Sequence, residues 1–83
     1  MELDDIALKV ALFGTIDRAT ARDILSRYRR HLLSAIKYLH SLREEVDGEL
    51  GKELVIERSI WRAESDLKWV SACEERLGRP GND

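Results

Sequence analysis

Eighty-three residues hold one domain at most, and 36% of them are charged with both signs mixed, while 6% are aromatic; this is the composition of exposed helix surfaces, not of a β-sandwich. A net charge of −2 gives no global reason to bind nucleic acid or an anionic membrane, and no apolar run approaches the roughly 20 residues of a membrane span. The acidic start does not read as a signal peptide, and the single cysteine, Cys73, excludes an internal disulfide, so a cytoplasmic location is expected.

The pattern predicts three helices and no strand. The first spans about 4–13, capped by Asp4 or Asp5, with Leu3, Ile6, Ala7, Val10 and Phe13 on one face. Leu8 and Leu12 fall elsewhere on it, and apolar surface on more than one side implies contacts on more than one side. Gly14 suits a C-terminal cap. The second helix spans about 18–46, with Asp17 as N-cap, and would be about 43 Å long. Asp47-Gly48-Glu49-Leu50-Gly51 reads as the turn, with Gly48 suited to the left-handed conformation. So short a connection makes its flanking helices antiparallel. The third helix spans about 52–77 and is stopped by Gly78 and Pro80, leaving a disordered tail at 79–83.

The strongest signal in the chain is a heptad seam along the second helix. Ala21, Leu25, Tyr28, Leu32, Ala35, Leu39, Leu42 and Val46 are spaced alternately four and three apart, the rhythm by which one helix packs along another. The third helix repeats it with Ile56, Ile60, Ala63, Leu67, Val70 and Leu77, Glu74 filling one seam position. Leu33 and Tyr38 lie off the seam and suggest a second buried surface. A chain this small, with neither disulfide nor metal as a staple, is expected to gain its core through a partner. These elements predict an all-α dimeric bundle, a short helix leading a long antiparallel hairpin, with residues 1–83 as one dimerisation domain.

Chemistry is harder to find. His31 and His40 are nine apart and share no metal-binding face, and Cys73 has no second thiol, so no cofactor or metal is expected. Glu44, Glu45, Asp47 and Glu49 lack the alternating order of a calcium loop. No serine sits in a nucleophile elbow and no glycine-rich phosphate loop exists, so the chain does not read as an enzyme. Arg18, Arg22, Arg27, Arg29 and Arg30 could contact phosphates, but with Asp23 among them they also read as a mixed-charge helix surface. Trp61 and Trp69 are eight apart and diverge by about 80°. They cannot form one flat stripe, although either could line an apolar pocket for a small aromatic ligand.

Three stretches resemble the C-terminal half of PadR-type transcriptional regulators: residues 5–14, from Asp5 to Gly14; the long helix from Leu25 to Leu42; and Val55-Ile56-Glu57-Arg58-Ser59-Ile60 followed by Glu64-Ser65-Asp66-Leu67-Lys68-Trp69-Val70. The likeness covers about Leu3 to Leu77. It implies a helical region that forms homodimers and, in some members, senses small aromatic or drug-like molecules, with Trp69 in the family's helix-tryptophan position. DNA would be reached only through a winged-helix domain that these residues do not contain. A stand-alone helical adaptor for a different protein is the other reading that the same seam allows.

Overall fold

The computed structural model describes residues 4–78, and the tail expected at 79–83 lies outside them. The described residues form three helices and no strand: α1 (Asp5–Ile16), α2 (Arg18–Glu45) and α3 (Leu50–Leu77). The all-α expectation holds.

A single residue joins α1 to α2. Asp17 sits in extended backbone (φ −148°, ψ 95°) and serves both helices. Its N–H donates to the Phe13 carbonyl at 2.6 Å, closing α1. Its carboxylate accepts from the Thr20 N–H at 3.2 Å and the Thr20 hydroxyl at 2.5 Å, opening α2. Two caps on one residue leave no slack, so α1 folds back along α2. At the other end of α1, Asp4 accepts from the Ala7 N–H at 2.8 Å.

The expectation that Gly14 ends α1 is corrected, because the helix runs through it to Ile16. Gly14 has no positive φ; instead it lies against α3, where an added Cβ would stand 3.4 Å from Leu77 Cδ2. Gly48 does adopt the left-handed conformation, at φ 89°. The turn is shorter than the five residues expected, since α3 begins at Leu50 and takes Gly51 into its first turn.

The core lies between the antiparallel α2 and α3. Leu25, Leu32, Ala63 and Val70 are buried there, with Val10, Tyr28, Ile36, Leu67, Cys73 and Leu77 packed against them. Val10 is the α1 residue that joins this set, which makes α1 a third, thinner layer. The outcome is a slab of 51 × 29 × 15 Å with a radius of gyration of 15.7 Å, against about 12 Å for a rounded chain of this length. A body one to two helices thick leaves most side chains near solvent, so its outer apolar residues decide what else it touches.

Candidate functional site

The heptad seam of α2 is covered by α3 of the same chain. Ala21, Leu25 and Leu32 are buried; Tyr28, Ala35, Leu39, Leu42 and Val46 are half-buried. Facing them, Ile56, Ile60, Ala63 and Val70 are buried and Leu67 half-buried. The seam therefore belongs, at least from Ala21 to Leu32, to the chain's own core. A heptad seam states that a helix packs against it but not which chain supplies that helix, and the short turn at 46–49 brings α3 there first. Toward the turn, Leu39, Leu42 and Val46 keep part of their surface uncovered.

Polar groups lock the register of the two long helices. The Tyr28 hydroxyl donates to Asp66 Oδ2 at 3.1 Å. Burial, followed by this bond to a carboxylate, raises the Tyr28 phenol above its ordinary value. The Arg29 guanidinium donates to Glu74 Oε1 and, at 2.9 Å, to Ser71 Oγ, which accounts for a glutamate in a seam position. Nearer the turn Arg43 meets Glu57 at 2.8 Å.

The arginines at the start of α2 are engaged within the chain. Arg18 and Arg22 each donate to the Leu77 carbonyl, at 3.3 and 3.2 Å. Two guanidiniums thus hold the last carbonyl of α3, where the helix dipole is negative. Arg27 pairs with Asp23 at 3.1 Å and Arg30 reaches Ser26 at 3.4 Å. The sequence reading missed the clamp on Leu77. Its signal was positional: in an antiparallel hairpin with equally long arms, the first turn of one lies beside the last turn of the other.

Trp61 and Trp69 occupy different surroundings. Trp61 is 68% exposed on the outer side of α3. Trp69 lines a cleft of about 240 Å³ with Asp4, Ala7, Tyr28 and Asp66, where α1 meets the two long helices. A larger groove, about 480 Å³, opens on the other side of Tyr28 between α1 and α2, lined by Ile6, Lys9, Ile24, Arg27 and His31. The His31 ring stacks on Tyr28 with centroids 6.3 Å apart and planes 16° from parallel. Among the described residues no cluster of His, Cys, Asp and Glu has metal-holding geometry. The Cys73 thiol is raised chiefly by burial, and it packs beside the core.

Apolar side chains remain uncovered on every helix. On α1 they are Phe13 and the row Leu8, Leu12 and Ile16, the row spaced four apart on the side away from the core. On α2 they are Leu33 and Tyr38, so the second surface read from these residues has no cover within the chain. On α3, Leu50, Leu54 and Trp61 are spaced four and seven apart and share one side.

These features define a helical-hairpin domain braced by a third helix, with uncovered apolar side chains and small clefts on its surface. Over residues 4–78 the chain matches the family described as virulence activator alpha C-terminal, and it belongs to that family. Neither a curated protein nor a solved structure matches it. No helix among the described residues is long and apolar enough to cross a membrane.

Proposed function

We propose that this chain is the dimerisation and effector-sensing domain of a PadR-like transcriptional regulator, with no catalytic role. DNA contact then falls to a winged-helix domain outside these residues. Membership of an activator's C-terminal family supports a regulatory role. The observation that carries the dimer is the row Leu50, Leu54 and Trp61, directed away from a core that the chain has already closed.

Two copies laid antiparallel along this row would bring Leu54 of each against Trp61 of the other. Tryptophan flanked by aliphatic side chains is the composition of an interface centre. The cleft that Trp69 lines supports the reading of Trp69 rather than Trp61 as the tryptophan beside a small aromatic ligand.

Sedimentation equilibrium of the chain and of Trp61→Arg tests the reading. The expected result is a dimer for the first, and for the second a monomer of unchanged helicity. A folded wild-type monomer at high micromolar concentration would overturn it.

A further inference from the structure

We propose that the groove between α1 and α2 binds an amphiphilic carboxylate, an aliphatic chain ending in one negative charge. This goes beyond the dimerisation reading and does not rest on it, because one chain builds the whole groove. Two parallel stripes form its walls. On α2, Ile24, Arg27, Tyr28 and His31 are spaced three, one and three apart, so they follow one side of the helix. On α1, Ile6 and Lys9 face them from one turn.

The lining divides by chemistry. Ile6 and Ile24 are half-buried, and with the Tyr28 ring they make an apolar floor. Lys9, Arg27 and His31 stand on the rim and are exposed. Arg27 already pairs with Asp23 at 3.1 Å, whereas Lys9 has no acidic partner within ion-pair distance among the described residues. One ammonium without an ion pair among the described residues, above an apolar floor, matches a ligand with one carboxylate and a hydrocarbon tail. The imidazole of His31, held parallel to Tyr28, offers the head group a second donor. A volume of about 480 Å³ lies within the range of small-molecule sites. The Trp69 cleft on the far side of Tyr28 has two carboxylates in its wall, Asp4 and Asp66, and would repel the same ligand.

Decanoate is the probe, titrated below its micelle concentration into the isotopically labelled 83-residue chain and followed by backbone amide shifts. Decyltrimethylammonium, with the same tail and the opposite charge, is the control. Saturable shifts confined to residues 6–9 and 24–31 are expected, with decanoate bound about tenfold more tightly than the control. Lys9→Glu should weaken decanoate about fivefold without moving the melting temperature, since Lys9 is exposed. Equal affinity for the two head groups, shifts centred elsewhere, or an unchanged Lys9→Glu variant would each overturn the proposal. Anionic phospholipid vesicles form the third arm. Sedimentation of the chain with vesicles, without binding of free decanoate, would assign the groove to a membrane surface and overturn the proposal too. Because the groove lies within one chain, binding is expected from monomer or dimer, so a failed dimer leaves this test intact.

Discussion

Tyr28 reaches from α2 to α3 and donates its hydroxyl to Asp66 across 3.1 Å, and its ring forms the wall between two clefts of opposite charge. One side chain therefore sets the register of the hairpin and separates a carboxylate-lined space from an ammonium-rimmed one.

Replacing Tyr28 by Phe keeps the ring and removes the bond. The expected cost is about 0.5–1.5 kcal/mol by urea denaturation, the usual net value of such a hydrogen bond. The raised phenol adds a signature in pH. A group whose folded value lies above its unfolded one stabilises fully below the unfolded value, 10.0 here, and that contribution is lost as pH rises through the folded value. Wild-type stability should fall above about pH 10, and Tyr28→Phe should show less of that fall.

Asp17 behaves with the opposite sign. Its carboxyl is held below 3.8, first by the Thr20 hydroxyl and then by the Thr20 N–H. A depressed group stabilises above its unfolded value and loses the contribution as pH falls through the folded one. Acidification from pH 4 downward should therefore loosen the α1–α2 junction. Asp17→Ala should lower the melting temperature at neutral pH and abolish that acid-side loss. Circular dichroism melts at several pH values read both effects.

Core substitutions should grade along the seam. Leu25 is completely buried, so Leu25→Ala is expected to cost about 2–5 kcal/mol. Leu39, also a seam residue, is only half-buried in the chain, and Leu39→Ala should cost clearly less. Equal losses in chemical denaturation would mean that another body covers the turn-proximal part of the seam.

The heptads of α2 and α3 made the hairpin legible, since two matching apolar rhythms joined by a glycine-bearing turn admit few other packings. The cap at Asp17 was legible, and that of α1 to within one residue, Asp4 or Asp5, because a short acidic side chain before an apolar run has one economical use. Whether α3 or a second copy would cover Leu25 and Leu32 was not, because periodicity describes one helix's surface and says nothing of who meets it. The clefts were illegible for a related reason. Tyr28, Asp66 and Trp69 converge only once the hairpin register is known, and Lys9 joins Ile24 only because the one-residue junction at Asp17 folds α1 back. Trp61 and Trp69 were read as diverging, and the structure adds that Trp69 lines a cleft.

Two glycines should respond to alanine with opposite signs. Gly14 was read as a helix end, but it lies inside α1 without positive φ. A Cβ there would make ordinary van der Waals contact with Leu77 Cδ2 at 3.4 Å, the tip of a flexible side chain. Gly14→Ala should therefore stabilise by about 0.5–1 kcal/mol, the gain of alanine over glycine in a helix interior. Gly48 has open space around it but holds φ at 89°, a conformation that costs an L side chain roughly 1–2 kcal/mol. Gly48→Ala should be destabilising by about that amount, although nothing clashes with it. Thermal melts of the two single variants check the pair. A destabilised Gly14→Ala would restore the reading of Gly14 as the end of α1 and would remove the last turn through which α1 meets α3.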